Sequence, residues 1–224
     1  MNFFSDTELQ RLKEITELYS YTKDMILYSE ELNNLSTFMP PINEIKDAFD
    51  HFMRITSVKF GLHEGNDDYA RNNLDKVFSH IYRATFELFD YIRIYQKESI
   101  DKKLTGISND ALIHVFPEYY RQIKPAMEDL ITKIPAYKKD KDIGDPDIGV
   151  VKLYYNSIQE MREHLTKIDA MLPSLIEYEE KRKIEEAAKE QKEQDNKKKD
   201  WLVQAGIAII GTLIGLVIGY LIPK

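Results

Sequence analysis

Apolar residues recur every three to four positions along most of this chain, and short polar or proline-bearing breaks divide the pattern into helical runs. Leu9, Leu12, Ile15, Leu18, Tyr19, Thr22, Met25, Ile26 and Ser29 follow Ser5-Asp-Thr-Glu8, which has the spacing of a capping box. They predict a first helix up to the break at Asn33-Asn34 and Pro40-Pro41. Pro40-Pro41 suits a helix start, and Ile45, Ala48, Phe49, Phe52, Ile55 and Thr56 carry a second helix to Gly61. Beyond a polar loop, Leu74, Val77, Phe78, Ile81, Thr85, Leu88 and Ile92 define a long third helix that ends near Lys103 and is closed by Gly106. Pro117 and Pro125 cut the next region, where 118–134 reads as a helix kinked or begun at Pro125. The run KKDKDIGDPDIG over 138–149 reads as a solvent loop. Helical spacing resumes over 150–172, and Pro173 is expected to bend or interrupt it.

The last part of the chain differs in kind. Residues 177–200 are almost wholly charged, with pairs such as Glu185 and Lys189 at i,i+4, which suits either a solvated helical stalk or a flexible linker. Residues 201–222 then carry no charge. As a helix they extend about 33 Å, enough for a hydrocarbon core of about 30 Å. Lys197, Lys198 and Lys199 precede this segment, and Trp201 and Tyr220 stand near its ends. The pattern predicts a single C-terminal transmembrane helix in the inner (cytoplasmic) membrane with the N-terminal domain in the cytoplasm. No apolar leader segment competes with it at the N-terminus. On a helical wheel Gln204, Ala208, Gly211, Thr212, Gly215 and Gly219 share one face, a small-xxx-small stripe suited to packing against a copy of itself.

The expected fold class is therefore all-α, with a helical cytoplasmic domain over 1–175, a charged stalk or linker over 176–200 and a transmembrane helix over 201–222. The 224 residues hold few glycines (9) and prolines (8), which favours long helices, and no cysteine, which removes disulfides, thiolate metal sites and a cysteine nucleophile. The formal net charge of -7 argues against general nucleic-acid binding. No metal-ligand spacing, glycine-rich phosphate loop or dinucleotide fingerprint is present, so neither a cofactor nor a metal is expected. The many tyrosines read as amphipathic packing.

One constellation carries chemistry. Residues 43–56 and 72–85 align at a fixed offset, matching Asn43 with Asn72, Phe49 with Phe78, His51 with His80, Arg54 with Arg83 and Thr56 with Thr85. Each helix thus places an H-x-x-R pair at the margin of its apolar stripe. In an antiparallel hairpin the two pairs approach along one side. Two imidazoles and two guanidiniums suit the holding or cleaving of a phosphodiester, with His51 and His80 as acid and base and Arg54 and Arg83 as charge stabilisers. The same residues also suit structural pairing with neighbouring acids such as Asp47, Asp50 or Glu87.

The segment NLDKVFSHIYRATFELFDYI, preceded by DAFDHFMRI, resembles the helical hairpins of HEPN-like bacterial proteins over about residues 41–100. Many members of that class are ribonucleases or toxin and antiviral-defence components. Their catalytic pattern sets Arg four to six residues before His, and this chain departs from it: Arg71 and His80, like Arg54 and His63, have eight residues between them. The resemblance implies an all-helical, dimer-forming domain with a defence or stress role. The resulting expectation is a homo-oligomeric membrane protein whose helical domain senses a protein partner or a phosphate-containing ligand, without catalysis of its own. A membrane-tethered ribonuclease and a non-catalytic membrane scaffold are the alternatives.

Overall fold

The computed structural model describes residues 3–139 and 147–221, with the backbone alone for residues 139, 213 and 215–221. All of its elements are helical: α1 (Asp6–Leu32), α2 (Met39–Lys59), α3 (Asp67–Leu104), α4 (Asn109–Val115), a π-helical turn (Tyr119–Ile123), α5 (Lys124–Lys139) and α6 (Ile148–Leu221). The predicted capping box closes α1, with Ser5 accepting from the Glu8 amide and Glu8 reaching back to the Ser5 amide. Glu8 is itself buried and ion-paired with Lys59 at 2.8 Å, tying the start of α1 to the end of α2. Prolines at the first turn open α2. Gly61 and Gly106 follow α2 and α3 with φ of +68° and +84°, a conformation that side chains with a Cβ resist.

Helix α3 is the axis of the bundle and packs against α1, α2 and α6. Ala84, Phe86, Phe89 and Ile92 lie along it at 0% exposure. Tyr28, Tyr82, Tyr137 and Tyr154 are buried in the core: the Tyr154 ring sits 4.8 Å from Phe89 and 5.2 Å from Tyr137, and its hydroxyl donates to Asp90. Burial pushes the Tyr154 phenol up. A buried hydrogen bond of 2.7 Å between Thr22 and Thr85 joins α1 to α3. Phe49, expected on the apolar stripe of α2, is 62% exposed, because α2 is covered on the side facing α3.

The helix expected over 118–134 is a π-helical turn over Tyr119–Ile123 that passes into α5 beside Pro125, and the short α4 precedes it. Phe116-Pro117 ends α4 because proline has no N–H to continue the ladder. Pro125 lies where the π-helical turn passes into α5, the irregular step at which the ladder can accommodate its missing N–H. Pro173, expected to bend or interrupt its helix, does not interrupt it: it lies inside α6. Ile168 and Leu175 on either side are fully buried, so packing holds the helix across the missing hydrogen bond.

The expected transmembrane helix is corrected by the structure: among the described residues no helix is long and apolar enough to cross a membrane. The apolar run described without interruption spans the twelve residues Trp201 to Thr212. That is about 18 Å of helix against a hydrocarbon core of about 30 Å. It is also no separate element, since α6 runs unbroken for 74 residues through the charged stretch and into it. Of the proposed packing stripe, Gln204, Ala208, Gly211 and Thr212 lie on this solitary end of α6. A Cβ added at Gly211 would meet nothing within 4 Å, and the Thr212 hydroxyl donates to the Ala208 carbonyl of its own helix at 2.8 Å. Gly215 and Gly219 lie outside the residues whose side chains are described.

Candidate functional site

Helices α2 and α3 form an antiparallel hairpin, which brings the two histidines of the repeated segment together. The His51 and His80 rings stack with centroids 5.3 Å apart and planes 25° from parallel. Each Nδ1 is tied to the opposite helix. His51 Nδ1 lies 2.8 Å from Asn73 Oδ1, and His80 Nδ1 lies 2.8 Å from Glu44 Oε2. These contacts are reciprocal: Glu44 and Asn73 occupy equivalent positions at the same offset that relates His51 to His80. The hairpin therefore carries a local two-fold pairing. Glu44 and Asn73 were missed in the sequence; they stand at the same offset, and the i,i+7 spacing of each with the histidine of its own helix is the signal that could have found them.

The two histidines differ in how firmly their protons are placed. Asn73 is 4% exposed, and its Nδ2 donates to the Tyr69 carbonyl at 2.9 Å. That fixes its Oδ1 as the atom facing His51, so His51 Nδ1 donates. The Nε2 of neutral His51 is then a lone pair. At His80 two neighbours compete for one nitrogen: Glu44 Oε2 accepts at 2.8 Å, while Arg83 Nη2 lies 2.6 Å away as a donor. One Nδ1 cannot serve both. With the proton on Nδ1, His80 bonds Glu44 and its Nε2 is an acceptor; with the proton on Nε2, Arg83 donates to Nδ1 and the outer nitrogen is a donor.

Glu44 is the charge that organises this end of the pair. Burial pushes its carboxyl up, but hydrogen bonds from His80 and Arg83 outweigh that and hold it below the usual carboxylate range. Arg83 Nε donates to Glu44 Oε2 at 3.0 Å, and its side chain remains 42% exposed. Arg54, the counterpart of Arg83, is not part of the cluster. It pairs with Asp50 at 2.6 Å and lines a separate cavity of about 440 Å³ with Ser57, His63 and Tyr69. Two charge differences in the repeat account for this: Glu44 holds Arg83 where neutral Asn73 offers Arg54 no anion, and Asp50 stands one turn before Arg54 where Arg83 has Ser79. Of the four expected site residues, His51, His80 and Arg83 converge and Arg54 does not.

The Nε2 atoms of both rings make no hydrogen bond among the described residues. The cluster thus presents one fixed acceptor, one nitrogen of switchable polarity and a half-exposed guanidinium. Among the described residues no group of three or more His, Cys, Asp or Glu is placed to hold a metal ion. His114 and His164 lie elsewhere. His164 on α6 is 6% exposed, its ring nitrogens make no hydrogen bond, Glu160 lies 3.7 Å from its Nε2, and burial holds its pKa below the usual histidine value. The chain matches no family model, no curated protein and no solved structure, so the resemblance of residues 41–100 to HEPN-like hairpins rests on the residues alone.

Proposed function

We propose that this chain is a helical sensor module that binds a phosphate-bearing ligand at the His51, His80 and Arg83 cluster of the α2–α3 hairpin. The observation that carries this reading is the stacked pair at 5.3 Å, with each Nδ1 held by the opposite helix and each Nε2 left unengaged. A phosphate monoester near neutral pH offers acceptor oxygens and, in its monoanion, a P–OH donor. Its oxygens match a His80 Nε2–H and the free edge of Arg83; its P–OH matches the lone pair of His51. Charge-assisted bonds of this kind are roughly twice as strong as neutral ones.

The output of such a sensor is self-association through the far end of α6. Trp201, Leu202, Val203, Ile207, Ile209, Ile210 and Ile214 stand 54–67% exposed there, an apolar surface that a second copy would cover. The binding reading is tested by titrating the full chain with inorganic phosphate and following the imidazole resonances. Both histidines are expected to shift saturably, and the double variant His51→Ala, His80→Ala is expected to lose binding with little change in melting temperature. No shift at tens of millimolar phosphate sinks the reading, and a large loss of stability in the variant makes the pair structural. Cleavage of an oligoribonucleotide that is lost in His80→Ala would instead make the pair the acid and base of a ribonuclease.

A further inference from the structure

Helix α2 carries a second copy of the stripe by which α3 takes its place in the bundle. At the offset that relates His51 to His80, Phe49, Met53, Thr56 and Phe60 answer to Phe78, Tyr82, Thr85 and Phe89. On α3 all four are buried. Helix α1 lies over them: the Arg11 guanidinium is 4.8 Å from the centre of the Phe78 ring and Thr22 bonds Thr85 at 2.7 Å, while Tyr154 of α6 closes the far end against Phe89. On α2 no described helix plays the part of α1. Phe49, Met53 and Phe60 are 62%, 45% and 67% exposed, and the Thr56 hydroxyl turns back to the Met53 carbonyl of its own helix.

These four positions share a face about 60° wide. The two rings alone leave about 250 Å² of apolar surface open, and Phe3, with its ring 5.0 Å from Phe60, adds to the patch. We propose that this face of α2 pairs antiparallel with the same face of a second copy of the chain, apart from any contact through the far end of α6. The edge of the stripe argues for that occupant. Asp50 borders it on the solvent side, the Arg54 guanidinium reaches Asp50 at 2.6 Å, and both line one cavity with Met53. A two-fold axis near Phe52 sets Asp50 of each copy beside Arg54 of the other, Phe49 beside Met53, and Phe60 beside Ile42, so one patch is complementary to itself. A parallel copy would set acid against acid. Four rings bury about 500 Å² between two copies, well short of the roughly 1,200 Å² of a small stable interface, so the pairing is reversible and shifts with concentration.

The sequence has no cysteine, so Met53→Cys gives the full chain a single thiol on this face. A short bismaleimide is expected to link that variant into dimers at protein concentrations on the order of 100 μM, and to leave Leu27→Cys, at an exposed site on α1, unlinked. Added to Met53→Cys, Phe49→Glu is expected to weaken the dimer at least about thirtyfold, the loss of one central anchor, with the melting temperature of the bundle unchanged. Asp50→Arg is expected to weaken it as well, and Asp50→Arg with Arg54→Asp to restore it, because the exchange recreates both contacts between copies. A chain that yields no linked dimer leaves the face to a different protein and overturns the proposal. Linking that survives Phe49→Glu, equal linking of Leu27→Cys, or failure of the charge exchange to restore the dimer overturns it too.

Discussion

The two ends of α6 share one backbone and almost nothing else. From Val151 to Glu179 the helix buries Tyr154, Ile158, Met161, Leu165, Ile168 and Leu175, at spacings of three, four and finally seven residues, against the bundle. Beyond Lys181 it runs on as a solitary helix, with exposed pairs such as Lys181–Glu177 and Arg182–Glu186 in place of a core. The first part is helical because burial rewards it; the second depends on intrinsic propensity and pairs worth a few tenths of a kcal/mol at most. Glu179 marks the change. It is 4% exposed, accepts from the Ser108 amide at 2.8 Å and pairs with Arg182 at 2.9 Å, so it fastens the start of α4 to the last buried turn of α6.

The contrast breaks most plainly under truncation of side chains. Ile158→Ala, in the packed part at 0% exposure, is expected to cost about 2–5 kcal/mol and to lower the melting temperature sharply in calorimetry. Ile209→Ala in the solitary part, at 61% exposure, is expected to change the unfolding free energy of the bundle by less than about 0.5 kcal/mol. Equal effects would show that the distal segment folds as part of the core.

A smaller effect is expected at the boundary. Glu179→Gln keeps the shape but weakens the bonds to Ser108 and Arg182, and is expected to cost about 1–3 kcal/mol. Amide exchange should rise first over 108–115, the turn and helix that Glu179 holds; a rise spread evenly over the bundle would place the contact elsewhere in the ledger of stability.

Acid sharpens the same boundary. Hydrogen bonds from Ser108 and Arg182 hold the Glu179 carboxyl at about 2, below its ordinary value of 4.5. The unfolded chain takes up the proton first, so this stability is present above pH 4.5 and is lost as pH falls toward about 2. His164 acts earlier. Burial, the largest influence, lowers its pKa below the ordinary 6.5, partly opposed by Glu160, with Lys167, Glu118 and Glu163 the other charges around it. The unfolded chain again binds the proton more readily, so stability is full above 6.5 and declines as pH falls through that value toward the folded pKa. His164→Phe is expected to flatten the decline between pH 7 and 5 in chemical denaturation; an unchanged slope would assign it to other groups.

Much of the bundle was legible from spacing alone. Ser5 and Glu8 announce the start of α1, prolines open α2, and Gly61 and Gly106 stand where only a left-handed residue ends a helix cheaply. These features are local, so the nearby sequence contains the whole cause. The offset repeat likewise revealed His51, His80 and Arg83 as residues on matching faces. It offered Arg54 with Asp50 as a local i,i+4 pairing but left it beside the shared site as an alternative, because the choice depends on Asn73 being uncharged on the other helix. The run of α6 across Pro173 was illegible for a similar reason: the burial of Ile168 and Leu175 that holds it comes from other helices.

By itself, then, the sequence determined where α1, α2 and α3 begin and end, which faces are apolar, and that two histidines recur in the same register. These follow from capping chemistry and from a period of 3.6 residues, both confined to neighbours along the chain. The tertiary structure alone decided that the histidines stack, that Glu44 and Asn73 each hold the ring of the opposite helix, and that one arginine joins them. Each of those outcomes is a contact between residues distant along the chain, and its energy exists only once the helices have chosen their partners.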